Sequence, residues 1–197
     1  TLGFSERSKR EPDLASSLGV AIIISWTVMY ARLLVLVWVL DQELFLHAWM
    51  PLTISAFVGL AYSAFLYFKQ RGNEKGDINL KNPLDLRSAV RFGLLFTVVL
   101  LISRVAEFYF GEVGLMLSSM ISGLTNATAV TLSVSELSRT GSINVDLATQ
   151  ALLLAIVANL ISKGGIVLVG GDRRLRRVIL PGLILMLVTA GVLAFLF

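Results

Sequence analysis

The chain has 197 residues, of which 56% are hydrophobic and only 15% are charged. Soluble domains usually carry about a quarter charged residues, so the composition argues against a soluble domain and for a membrane protein. The chain has no Cys and a single His, which excludes disulfides, thiolate zinc sites and Cys–His nucleophilic pairs. No nucleic-acid partner is expected, because Lys and Arg lie in short clusters between apolar segments.

Apolar stretches long enough to cross the membrane recur along the chain. About 20 apolar residues cross the hydrocarbon layer, and five stretches qualify: Leu14–Leu40, Pro51–Phe68, Leu86–Phe110, Ala148–Val169 and Val178–Phe197. Pro51 stands where a first helical position is expected. Glu112–Leu137 is a sixth candidate, but it overlaps the polar run SGLTNATAVTLSVSELS. No stretch alternates like a barrel strand. We therefore predict an all-α, polytopic membrane protein with five to six transmembrane helices.

The predicted helices form a single membrane domain with one large loop. Residues 1–68 contain the end of an upstream repeat and two helices, 69–85 form a cytoplasmic loop, and 86–197 hold the C-terminal membrane helices. Lys and Arg are concentrated before the first helix and in 69–91, whereas 41–50 contains none. By the positive-inside rule the first two regions are cytoplasmic and 41–50 is external.

The Arg-rich segment 173–177 leaves two topologies open. It is external if all six candidate helices span the membrane. It is cytoplasmic if Glu112–Leu137 is a broken or re-entrant helix that leaves the membrane on the side where it entered. The polar, glycine-containing composition of Glu112–Leu137 is compatible with the second topology.

A short internal repeat bears on the same question. Thr1–Lys9 reads TLGFSERSK and Thr131–Arg139 reads TLSVSELSR, and each precedes Asp-Leu-Ala and a long apolar helix. We interpret the first copy as the end of an upstream repeat, so that the chain is part of a longer protein. Three spans plus a re-entrant element between the copies would invert them, which is a transporter construction. Four spans would make them parallel, and coincidence between two helix starts is the remaining alternative.

Polar residues inside the predicted helices are the candidate site residues, because hydrocarbon disfavours them. Arg104 and Glu107 form either a snorkelling interfacial pair or a structural or gating pair. The candidates for a substrate path are Arg32, Ser122, Asn126, Thr128, Asn159 and Lys163. Snorkelling explains Lys163 equally well, and Asn159 is expected to form a hydrogen bond with another helix. In a continuous helix Ser122 and Asn126 share one face, which serves either close helix packing or a hydrophilic lining. A sequon within a membrane helix is not a surface loop, so we reject glycosylation at Asn126.

Several ordered motifs resemble one uncharacterised family. They are Asn82-Pro83, Arg104 before Glu107, Ser122-Gly123-Leu124, Thr131-Leu132-Ser133, and Asn159 with Lys163. In this order they resemble DUF4010, a bacterial and archaeal membrane domain that often follows an MgtC-type domain. The resemblance implies location in the plasma membrane, an MgtC-type domain upstream in the same chain, and a role in magnesium or other ion homeostasis.

Two functions are compatible with these features. The first is a transporter of an ion or small solute. The alternative is a regulatory or scaffolding membrane subunit without transport activity, in which the polar residues hold helices together. A basic path suits an anion better than Mg²⁺, which prefers oxygen ligands. The expected partners are the lipid bilayer and further copies of the chain, with no cofactor or metal. No enzyme activity is expected, since the sequence has no HExxH, GxSxG or intramembrane aspartyl pair.

Overall fold

The computed structural model describes residues 4, 5, 8, 14–70, 105 and 111–196. The regular structure of these residues is helical, which confirms the all-α prediction. In chain order the helices are α1 (Ala15–Leu40), α2 (Gln42–Gln70), α3 (111–125), α4 (Ala127–Arg139), α5 (Val145–Gly170) and α6 (Arg173–Leu196). Four of them, α1, α2, α5 and α6, are long and apolar enough to cross a membrane. Except for Val105, the predicted span Leu86–Phe110 lies outside the described residues, as does most of the 69–85 loop.

The helix α1 shows why composition indicated a membrane protein. Ile22, Trp26 and Tyr30 recur at helical spacing and are almost completely buried against the other helices. The opposite face is also apolar, since Val28 and Val35 are each 59% exposed. A helix that is apolar on all sides suits a protein whose outer surface contacts lipid.

A single residue, Asp41, separates α1 from α2. Its Oδ1 accepts hydrogen bonds from the backbone N–H groups of Glu43 at 3.0 Å and Leu44 at 3.1 Å, so Asp41 caps α2. The helix therefore begins at Gln42, and the predicted external loop 41–50 is mostly helix. The prediction that Pro51 occupies a first helical position is wrong, because it lies well inside α2.

The start of α6 follows the same scheme. The carboxylate of Asp172 accepts from the backbone N–H of Arg174 at 3.0 Å, and α6 begins at Arg173 rather than at Val178. Pro181 lies inside α6 as Pro51 lies inside α2. Each long hairpin of the fold thus pairs an uninterrupted helix with a proline-containing one.

The two long hairpins, α1–α2 and α5–α6, run in opposite directions. Gly19 of α1 lies against Val178 of α6, and Ile23, one turn later in α1, lies beside Gly182, one turn later in α6. Because both positions advance together, α1 and α6 are parallel, and α2 and α5 run the other way. The turn at Asp41 is therefore at one end of the bundle, and the turn at 171–172 is at the other.

This inversion fits the sequence repeat. The helices α1 and α5, which follow the two copies of the repeat, have 26 residues each. The sequence separation between Thr1 and Thr131, where the copies begin, equals the separation between the helix prolines Pro51 and Pro181. The Arg-rich start of α6 lies at the end of the bundle where α1 begins. This arrangement matches the topology in which 173–177 and the start of α1 are on the same side of the membrane.

Candidate functional site at a broken helix

The polar run forms two helices rather than one. Between α3 and α4, Asn126 has an extended backbone with φ −158° and ψ 100°. Its side-chain oxygen accepts a hydrogen bond from the backbone N–H of Thr128 at 3.0 Å, so Asn126 caps the N-terminal end of α4. Asn favours this position because its short side chain replaces a backbone acceptor. The broken helix is confirmed, and the shared helical face of Ser122 and Asn126 is not formed.

The C-terminal end of α3 is held by α5. The Asn159 side chain donates its Nδ2 hydrogen to the carbonyl oxygen of Gly123 at 2.9 Å. Asn159 is only 2% exposed, so this bond satisfies a backbone carbonyl that the helix break would leave without a partner. The Oδ1 atom of Asn159 is also buried and has no hydrogen-bond partner among the described residues.

A close approach of α3 and α5 positions this contact. A Cβ atom added at Gly123 would lie 2.5 Å from the carbonyl oxygen of Ala155 and 2.6 Å from its Cα. Only glycine fits at this separation. Sequence reasoning placed Gly123 in the polar strip but not among the site residues. The sequence feature that could have identified Gly123 is a glycine next to Ser122 in a membrane segment, because small residues are typical of tight helix packing.

The N-terminal end of α4 is contacted from α1. The guanidinium of Arg32 donates through Nη2 to the hydroxyl of Thr128. Thr128 is 6% exposed, whereas Arg32 is exposed. Arg32 lies eight residues, or about 12 Å at the rise of an α-helix, from the C-terminal end of α1. The contact between Arg32 and Thr128 is therefore within the length of α1, about a third of the way from its C-terminal end.

A second cation reaches the same part of α1. The Lys163 ammonium of α5 lies 3.1 Å from the sulfur of Met29, which is one turn before Arg32 on α1. Lys163 is half-buried, and its ammonium is close enough to the Arg32 guanidinium for the two positive charges to repel each other. Met29 was missed by sequence reasoning, because a methionine in an apolar helix carries no signal of a polar role.

The structure thus brings most of the predicted path residues to one helix break. Ser122 contributes its backbone carbonyl, which accepts from the Asn126 N–H at 2.9 Å, while its side chain is buried. The predicted pair Arg104 and Glu107 lies outside the described residues. Among the residues that are described, no group of three His, Asp or Glu side chains could hold a metal ion.

Comparison with known proteins identifies similar sequences but no solved relative. The model of the family "Domain of unknown function (DUF4010)" matches residues 1–171. An uncharacterized protein of Aquifex aeolicus (strain VF5) is 31% identical over 178 residues, which cover 89% of this chain and 77% of that protein. No solved structure matches the chain. The family match includes every residue of the helix break described above.

Proposed function

This chain belongs to the DUF4010 family, and on that premise we propose that it transports a small ion or solute across a bacterial plasma membrane. Its four long apolar helices make it a multi-pass membrane protein. The bacterial source of the similar protein supports location in the plasma membrane.

The helix break at Asn126 is the observation that carries the proposal. In hydrocarbon every backbone N–H and C=O group needs a partner, so interrupted helices persist only inside protein or beside a water-filled cavity. Here side chains bond the backbone at the break: Asn159 of α5 donates to the Gly123 carbonyl and Asn126 accepts from the Thr128 N–H. Arg32 of α1 donates to the Thr128 hydroxyl beside them. Polar groups at such depth are costly, and transporters use them to bind substrate.

The inverted hairpins support the same function. In many secondary transporters the substrate binds near the middle of the membrane, between two repeats of opposite orientation and next to interrupted helices. Alternating access then arises when one repeat rocks against the other. In this chain the α1–α2 hairpin contributes Arg32 and the α5–α6 hairpin contributes Asn159 and Lys163, so relative motion of the hairpins would change the site.

A role in ion homeostasis is part of this proposal. In chains that this one resembles, the domain often follows an MgtC-type domain, and this association suggests the role in ion homeostasis. We therefore also propose an MgtC-type domain as a partner. The described residues offer amide, hydroxyl and basic groups at the break. These groups suit a hydrated ion or an anion better than a bare Mg²⁺, which requires oxygen ligands in octahedral geometry.

Scaffolding is the competing function, and the tight contact of Gly123 with Ala155 is the observation in its favour. The two functions predict different behaviour after reconstitution. We would measure uptake of radiolabelled phosphate, sulfate, rubidium and magnesium into proteoliposomes. The variants are Arg32→Gln and Thr128→Val, with Thr53→Val as the matched control. Thr53 is exposed on α2, and its hydroxyl donates to the carbonyl of Trp49 in its own helix.

Transport predicts flux of at least one of these ions, with a loss of about tenfold or more in Arg32→Gln and Thr128→Val and no loss in Thr53→Val. Size-exclusion chromatography checks that every variant is monodisperse. If the folded wild type moves none of the four ions, or if Thr128→Val and Thr53→Val behave alike, the transport proposal is refuted and scaffolding is favoured.

A further inference from the structure

We infer that the helix break binds a small oxyanion, held between the Arg32 guanidinium, the Lys163 ammonium and the N-terminal end of α4. The inference deepens the proposed function, on which its role in transport rests, by naming the class of substrate.

The charge balance of the site favours an anion. The hydrogen bond of Arg32 goes to the hydroxyl of Thr128 and that of Lys163 to the sulfur of Met29, and both acceptors are neutral. Within the described ranges, neither cation has an ion pair with an acidic side chain; the pair found there joins Arg139 to Glu136 at the end of α4. Two like charges at this depth repel each other, and an anion between them would relieve that repulsion.

The direction of α4 adds a third positive group. The helix has 13 residues, and its first turn begins at the break. Backbone N–H groups at a helix N-terminus carry a partial positive charge, which favours anions. Because the Thr128 N–H is bonded to Asn126 Oδ1, the other N–H groups of the first turn would supply this charge. Thr128, in this first turn, is the residue that Arg32 contacts. A cation at this position would meet three repulsive groups, whereas an anion would meet three attractive ones.

The hydrogen-bonding groups favour an oxyanion over a halide. A guanidinium presents its N–H donors in a planar fork that matches two oxygen atoms. Asn159 lies one turn before Lys163, on the same face of α5, and its Oδ1 is a buried acceptor without a partner among the described residues. It could accept a hydrogen bond from the hydroxyl of hydrogen phosphate or hydrogen carbonate. A halide offers no such donor.

Equilibrium binding to the purified full chain in detergent tests the inference. The probes are radiolabelled phosphate, sulfate and hydrogen carbonate, with unlabelled chloride as competitor at constant ionic strength. The variants Arg32→Gln and Lys163→Gln each remove one charge of the site, whereas Lys163→Arg keeps it. Arg139→Gln is the matched control, because Arg139 is an exposed cation that pairs with Glu136 in its own helix.

We expect saturable binding of at least one oxyanion to the wild type. Loss of either charge should weaken it by about tenfold or more, while Lys163→Arg and Arg139→Gln should bind like the wild type. If Arg32→Gln does not fold, the two Lys163 variants decide alone. Binding of chloride only, no binding, or equal binding by Lys163→Gln and the wild type overturns the inference.

Flux measurements keep this inference separate from the proposed function. Oxyanion binding that depends on Lys163, without flux in proteoliposomes, would refute transport and leave the site standing. Flux of rubidium or magnesium without oxyanion binding would refute the oxyanion site and leave transport standing.

Discussion

The substitution Gly123→Ala tests whether close packing of α3 against α5 holds the helix break together. The added methyl group would lie 2.5 Å from the backbone oxygen of Ala155, well inside ordinary contact distance. Because the obstacle is backbone, the helices must move apart by about 1 Å, and overpacking of this kind costs about 1–3 kcal/mol. The same movement lengthens the 2.9 Å bond from Asn159 to the Gly123 carbonyl, which adds about 0.6–1.7 kcal/mol.

Alanine also favours the helix over glycine by up to about 1 kcal/mol. The net expectation is therefore a loss of about 1–4 kcal/mol in the free energy of unfolding. Titration with sodium dodecyl sulfate from mild mixed micelles, followed by circular dichroism, measures this quantity. Gly165→Ala is the matched control, since a Cβ at Gly165 of α5 meets nothing within 4 Å, and it should be neutral or slightly stabilising.

A double variant separates the two contributions to the loss. Asn159→Leu removes the interhelical bond while keeping a side chain of similar size. Because both residues share one contact, the losses from Gly123→Ala and Asn159→Leu should not add. If Gly123→Ala unfolds at the same detergent fraction as Gly165→Ala, the close packing of α3 against α5 is refuted.

Further predictions concern the helix caps. Asn126 caps α4, and Asn144 caps α5 by accepting from the backbone N–H of Leu147 at 2.7 Å. Asn126→Ala and Asn144→Ala should each cost about 0.5–2 kcal/mol in the same unfolding assay. Only Asn126→Ala, at the break, should reduce ion flux, and equal flux in both variants would contradict the role of the break. Hydrogen bonds from the backbone N–H groups of Arg174 and Arg173 lower the pKa of the Asp172 carboxyl below its ordinary value. Its stabilising effect should therefore be present above the ordinary pKa of about 3.9 and disappear as the pH falls through the lower folded pKa. Unfolding measured between pH 6 and pH 3 should show a shallower acid-induced loss in Asp172→Asn, and an unchanged slope would contradict this cap.

The apolar helices could be predicted from the sequence, but two of their starts could not. Leu14–Leu40 was predicted and Ala15–Leu40 is found, because hydrocarbon burial sets this element and an apolar window detects it directly. The starts of α2 and α6 were missed. Their first turns carry polar residues that an apolar window excludes, and their positions are set by the caps Asp41 and Asp172.

The sequence identified most residues of the site, but it predicted only some of the contacts between them. Asn126 and its neighbours were unusual in a membrane segment, so a break was among the alternatives. The partner of Arg32 could not be foreseen, because Thr128 is 96 residues away in sequence and the contact depends on how α1 packs against α4. The same holds for Met29, whose part in the site arises only from the reach of Lys163 across the bundle.

The central claim is that the broken helix lies between two hairpins of opposite orientation. Because the chain has no native Cys, single cysteines introduced for Glu43, Ser142 and Arg173 can be labelled from each side of the membrane with a charged, impermeant thiol reagent. We expect labelling of Glu43→Cys and Ser142→Cys from outside and of Arg173→Cys from the cytoplasm. Labelling of Ser142→Cys from the cytoplasm and of Arg173→Cys from outside would contradict the inversion.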